Sequence, residues 1–206
     1  MICCTCSQAE LDGAADAPVR AQPDQTTLVP IADQPLIGET PRPALQSWLT
    51  PNSVFYVRNH FPTPSVDRSS WKLSIGGHVS RPYELDFRAI ESLPKYTLTV
   101  TLECAGNNRS DLVPPTPGSK FKDGAVSTAV WAGAALKDVL AGADMLPGSR
   151  EVLFEGADEG MVGANSPPIR YIRSLPLDVA IHPDALLAYE MNGETLAKEH
   201  GIRCAW

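Results

Sequence analysis

The sequence predicts an α+β fold, mixed and loop-rich, in which several short sheets and short helices share one domain. Three observations carry this. Nineteen prolines and fifteen glycines are scattered along 206 residues, so few elements have room to run long. Apolar residues alternate over short runs such as "TLTVTLEC" and "ALLAYEM", the period of a strand with one buried face. Helical spacing occurs only in brief stretches closed by proline or glycine. At this length, with 43% hydrophobic residues, the chain can bury a sizeable core.

Taken in order, residues 1–40 are rich in Ala, Asp, Gln and Pro without sustained periodicity, and are expected to form a poorly ordered tail. The domain is expected over 41–206, with order beginning near "LTPNSVFYVRNHFPTP". There "SVFYVR" is β-branched and aromatic and is read as a strand. "WKLSIGGHVSRPYEL" alternates Trp71, Leu73 and Ile75, then breaks at Gly76 and Gly77 as a turn. "DFRAIESLP" has Asp86 as cap, Phe87, Ile90 and Leu93 at helical spacing, and a proline stop. In "TLTVTLEC" the residues Leu98, Val100, Leu102 and Cys104 share one face. "VWAGAALKDVLAGA" is read as a helix with Leu136, Val139 and Leu140 on one side. "EVLFEG", "RYIRSL" and "ALLAYEM" are read as strands, and the Asn-Gly of "MNGE" as a hairpin turn.

The bulk properties exclude several functions. A formal charge of −7 argues against a general nucleic-acid surface, so any anion site must be a local concentration of arginine. No window approaches eighteen consecutive apolar residues, and the start lacks a basic, then apolar, export signal; a soluble cytoplasmic protein without membrane contact is the expectation. Five cysteines at irregular spacing do not form a disulfide framework. Cys3, Cys4 and Cys6 crowd the start without the fourth ligand of a structural metal site.

Two constellations carry chemistry. Cys104 by itself reads as a small buried hydrophobe. Its continuation, "AGNNR", changes the weighting: Ala105 and Gly106 admit close approach of a bulky partner, Asn107 and Asn108 tolerate tight turns, and Arg109 brings a permanent charge near the sulfur. A nearby cation favours thiolate. Nucleophile and metal ligand both remain open on these grounds. In "YVRNH", Arg58 and His60 lie two apart, share one face of an extended segment, and are placed to grip an anion together.

The segments "LTPNSVFYVRNHFPTP", "WKLSIGGHV", "TLECAGNNR", "AVSTAVWAGAALKDVL", "RSLPLDVAIHPDALLAYEMNG" and "KEHG", in this order, resemble the molybdopterin-binding domain of the sulfite oxidase family, which also includes the assimilatory nitrate reductases. "LECAGNNR" and "YVRNH" are the specific ones. The resemblance implies a molybdenum-molybdopterin cofactor with Cys104 as the protein's thiolate ligand to the metal. It implies Arg58 and Arg109, with Cys104, as catalytic residues, the two arginines holding the substrate oxyanion. Tyr56, Val57, Arg58, Asn59, His60, Cys104, Asp158 and His200 are implied as cofactor-binding positions. The implied activity is oxygen-atom transfer, sulfite to sulfate, with electrons leaving to an external acceptor, a cytochrome or oxygen. The alternative within the family is a nitrate reductase-type enzyme. Phe121 stands where the sulfite oxidases tend to carry tryptophan.

The resemblance also implies what is missing. After "HG" the family continues into a further pterin-binding loop, a substrate tyrosine and an immunoglobulin-like dimerisation domain, whereas this sequence ends "HGIRCAW". The expectation is a domain incomplete at its C-terminus, with Arg203 out of register with the family's arginine and the dimer interface largely absent. A truncated, non-catalytic fragment that does not retain the cofactor is the second alternative. Tyr189 in "LLAYEM" is read as a packing residue and not as the missing tyrosine.

Overall fold

A computed structural model describes residues 27–67, 69–163 and 165–201. Val29–Asp33 (β1) and Leu36–Glu39 (β2) pair antiparallel, and the short Val57–Arg58 (β3) joins β2 with Ile37 opposite Arg58. Lys72–Ile75 (β4) and Tyr83–Asp86 (β5) form a second sheet that runs into the helix Phe87–Glu91 (α1). Lys95–Glu103 (β6), Val126–Ala135 (β7), Leu186–Met191 (β10) and Glu194–Thr195 (β11) make a four-stranded antiparallel sheet in the order β11-β10-β7-β6. Between them in sequence come the helix Leu136–Ala141 (α2), the paired strands Glu151–Gly160 (β8) and Ile169–Pro176 (β9), and the one-turn helix Leu177–Ala180 (α3). Short sheets and short helices are the predicted fold class.

The central strands β7 and β10 are largely buried because both of their faces are covered, whereas β6 keeps Thr97, Thr99, Thr101 and Glu103 exposed on its outer face. On one side Leu102, Ala129, Trp131, Ala188 and Met191 pack with Ile37, Phe55, Tyr56 and Phe121 from the β1–β3 side. On the other, Ala134, Leu187 and Tyr189 meet Phe87 and Ile90 of α1, Val139 of α2, and the inward face of β4–β5. Each fully buried aliphatic or aromatic side chain contributes roughly 1.5–3 kcal/mol. Tyr189 is a packing residue, its ring edge-on to Phe87 at 5.9 Å.

Several local readings hold for the stated reasons. The carboxylate of Asp86 accepts the Ala89 N–H at 2.8 Å and caps α1. Asn192 and Gly193, at φ 51° and 77°, close the two-residue β10–β11 turn. Others change. The hairpin Val29–Glu39 precedes residue 41 and belongs to the domain, with Ile37 in the core, so the expected tail was drawn too long; residues 1–26, with Cys3, Cys4 and Cys6, lie outside the described residues. "SVFYVR" forms a 3-10 turn, Asn52–Val54, and only two residues of strand. "VWAGAA" is strand, and the helix begins at Leu136. Alanine and glycine are used there because β10 approaches so closely that a Cβ on Gly133 would overlap the Leu187 carbonyl oxygen. No helix among the described residues is long and apolar enough to cross a membrane.

Candidate functional site

β6 delivers Cys104. Its alternation leaves Leu98, Val100, Leu102 and Cys104 on the inward side, and the strand ends one residue before the thiol. Cys104 is unpaired, half-buried, and packs against the cluster that contains Phe55, Tyr56 and Phe121. Its N–H still donates to Ala125 O at 2.9 Å, so the residue is anchored by the sheet although the chain is already turning away. The Gly106 N–H points back at Sγ, 3.4 Å distant.

The turn that follows is held by the returning segment before β7. Asn108, in the left-handed region at φ 59°, donates its N–H to Lys122 O, and Ser110 N–H donates to Phe121 O at 2.9 Å. Asn107 donates from its side chain to Glu103 and accepts the Ala125 N–H at 3.0 Å. These bonds place the Arg109 side chain over Gly106, where a Cβ would lie 3.3 Å from Nε. Gly118 flanks the guanidinium too, and Nη1 donates to Pro117 O at 2.6 Å. Gly106 therefore adjoins the sulfur through its N–H and the guanidinium through its Cα.

Arg58 and His60 form a second group. Arg58 is exposed at the end of β3, and its Nη1 lies 3.2 Å from His60 Nδ1, so the predicted shared face exists. The His60 ring packs on Phe61 at 4.5 Å and reaches Tyr171 at 5.7 Å. Partial burial, then the charges of Arg58 and Arg173, push the His60 imidazole below its ordinary pKa, against the opposing pull of Asp158. Asp158 lies in the irregular middle of β8, with its carboxylate beside Gly156. Asn59 is half-buried and donates to Thr63 Oγ1 at 3.4 Å.

Three predicted positions behave differently. Tyr56 and Val57 are 5% and 4% exposed; Tyr56 packs into the core, and Val57 borders a cleft that it shares with His200. Tyr56 N–H is already directed to Ser127 Oγ at 3.3 Å. His200 is buried beside Phe55, ring centroids 5.2 Å apart, and burial pushes its pKa down to about 4 against the weaker pull of Glu199. It lines a cleft of about 400 Å³ with Phe55, Val57, Leu28 and Leu36. Phe55 belongs to the cluster on which Cys104 packs, so one apolar body backs both places. Arg203 lies outside the described residues.

Sequence reasoning missed Tyr171 and Arg173. The guanidinium carbon of Arg173 sits 4.2 Å from the centroid of the Tyr171 ring, a cation–π stack beside His60. The two residues are separated by two on β9, the same spacing that marks Arg58 and His60 on their segment. It also missed the buried Glu39, whose carboxylate accepts the Lys122 N–H at 2.8 Å and thereby holds the segment that holds the Cys104–Arg109 turn.

An antiparallel sheet carries an unpaired thiol to its edge, beside a turn that bears an arginine and against an aromatic cluster, which makes this end of the sheet the candidate binding site. Residues 60–203 match the family described as oxidoreductase molybdopterin binding domain, and the chain belongs to that family. It is 40% identical over 199 residues to the mitochondrial sulfite oxidase of Macaca fascicularis, covering 93% of this chain and 35% of that protein. It is 41% identical over 184 residues to the sulfite oxidase of Arabidopsis thaliana, covering 83% of this chain and 46% of that protein. Nitrate reductase [NADH] 1 of Oryza sativa subsp. japonica is 36% identical over 201 residues, covering 93% of this chain and 21% of that protein. Among solved structures, the sulfane dehydrogenase SoxCD of Paracoccus pantotrophus superposes with a TM-score of 0.72 at 26% identity, covering 95% of this chain and 50% of that one. The chain spans about a third to a half of the curated sulfite oxidases it matches.

The residues present fit the family's cofactor. Among the described residues no three His, Cys, Asp or Glu side chains converge as a cation site built by protein alone would require. One unpaired soft donor, Cys104, suits instead a metal that arrives with further sulfur ligands of its own.

Proposed function

We propose that this chain is the cofactor-binding part of a molybdenum-dependent oxidoreductase that oxidises sulfite to sulfate. The observation that carries the reading is the adjacency of the Cys104 thiol and the Arg109 guanidinium across Gly106. When bound, the molybdenum-molybdopterin group supplies two-electron oxygen-atom transfer, chemistry that amino-acid side chains do not perform.

The chain's own residues do the rest. Cys104 would hold the metal through its sulfur; the sheet bond at its N–H fixes the backbone that carries the side chain, and the Gly106 N–H is directed at Sγ. Arg109 presents a planar cation whose position is limited by the Pro117 carbonyl. Arg58, which has no carboxylate partner among the described residues, presents a second. Two forks of this kind bind a small oxyanion by charge-assisted bonds and leave its central atom free to react. His60 steadies Arg58 and, with Asn59, Asp158 and His200, supplies polar surface to the pterin. Electrons leave to an external acceptor, a cytochrome or oxygen.

The test is metal analysis of the chain expressed in cells that make the cofactor. Near-stoichiometric molybdenum is expected, and Cys104→Ser should lose both the metal and sulfite-dependent reduction of cytochrome c. Arg58→Gln and Arg109→Gln should keep molybdenum while KM for sulfite rises about tenfold or more, the loss of one bond to a charged group. Wild-type protein without molybdenum overturns the proposal, and loaded protein that turns over nitrate but not sulfite replaces the substrate.

A further inference from the structure

Arg173, like Arg58 and Arg109, has no carboxylate partner among the described residues. Arg173 leaves β9 beside Tyr171, and its guanidinium lies over that ring at 4.2 Å. One N–H group donates to the neighbouring Ile172 carbonyl at 2.6 Å, and its remaining donors have no protein acceptor among the described residues. By contrast Arg170, on the same strand, is paired with Glu155 at 2.9 Å, and Arg81 faces Asp144. Tyr171 in turn lies 5.7 Å from the His60 ring, and Arg58 Nη1 is 3.2 Å from His60 Nδ1. Arg58 thus touches His60, and Tyr171 links His60 to Arg173, so two guanidinium groups flank one imidazole–phenol pair on a chain whose net charge is −7.

Cations held near one another repel, and a bound anion relieves that repulsion while replacing water at their exposed donors. The rigid placement of the guanidinium on an aromatic face reduces the rotamer freedom lost on binding. We propose that Arg173, held on Tyr171, is a further anion-binding residue that completes with Arg58 and His60 a seat for a small dianionic oxyanion. The ligand class is sulfite, sulfate or a phosphate monoester. The assignment rests on the proposed function for its biological meaning, but its test needs no molybdenum.

The cofactor-free full chain is titrated with sulfate and, separately, with glycerol phosphate, followed by calorimetry and by the His60 imidazole NMR signals. Saturable binding to wild type is expected, with affinity about tenfold weaker in Arg173→Gln. Arg173→Lys should recover part of the loss, since it restores charge without the fork. A loss shared by both ligands assigns the seat to the substrate oxyanion, and a loss confined to glycerol phosphate assigns it to the phosphate ester of a bound pterin; either supports the proposal. Equal affinities in wild type and Arg173→Gln, or no saturable binding to wild type, overturn it. Absence of molybdenum from the loaded preparation would instead count against the oxidoreductase reading alone.

Discussion

The Arg109 guanidinium occupies the space that a side chain at Gly118 would fill: a Cβ built on Gly118 falls 2.5 Å from Nη1. Gly118 also sits at φ +110°, where a side chain strains the backbone by about 1–2 kcal/mol. Gly118→Ala is therefore expected to lower stability by about that amount in urea unfolding and to displace Arg109. The second effect separates this position from an ordinary loop glycine. KM for sulfite in the loaded protein should rise, while Gly148→Ala, also at positive φ but with open space around it, should cost stability without touching KM.

Glu39 acts on the same turn from the opposite side. Its buried carboxylate accepts the Lys122 N–H, and the carbonyls of Phe121 and Lys122 accept the N–H groups of Ser110 and Asn108. Glu39→Ala leaves a donor without its partner and is expected to cost about 1–3 kcal/mol, whereas Glu39→Gln keeps an acceptor and should cost less. Amide hydrogen exchange reports the coupling. Protection of Asn108 and Ser110 should fall in Glu39→Ala and survive in Glu39→Gln.

The fold class and the local contacts of the candidate site were legible in the sequence, and the long-range contacts were not, for physical reasons. Cys104 with "AGNNR" and Arg58 with His60 are local, since spacings of two and five on an extended or turning chain decide their geometry. Tyr171 and Arg173 carry the same alternation, but nothing on β9 says that the bulged hairpin will fold against His60, because that contact closes more than a hundred residues of chain. His200 was singled out only through resemblance, and its burial beside Phe55, 145 positions earlier, was not readable from local sequence. The segment "VWAGAA" was misread because alanine favours helices, and its strand state is imposed by neighbours on both sides. The hairpin at Val29–Glu39 escaped because its strands are short and its core contribution comes chiefly from Ile37.

Gly133 tests that imposed strand. A Cβ there meets backbone of Leu187 and Ala188, which no rotamer change relieves. Gly133→Ala should force β7 and β10 apart and cost about 1–3 kcal/mol or more. Thermal unfolding measures the loss, and Gly163→Ala, with open space at its Cβ, should leave the melting temperature nearly unchanged.

His200 makes stability depend on pH in a defined window. Burial holds its pKa at about 4 in the folded chain, against 6.5 for the unperturbed imidazole. Between these values the unfolded state binds a proton that the folded state refuses, so stability rises with pH there. The contribution is complete above pH 6.5 and is lost as pH falls toward 4, amounting to about 3 kcal/mol across the interval. Denaturant titrations at pH 7.5 and pH 4.5 should show this loss in the wild type and a smaller one in His200→Gln, whose side chain does not titrate. Equal pH slopes in the two proteins would show that the imidazole opens to water before it is protonated, and that the wall it shares with Phe55 is not closed.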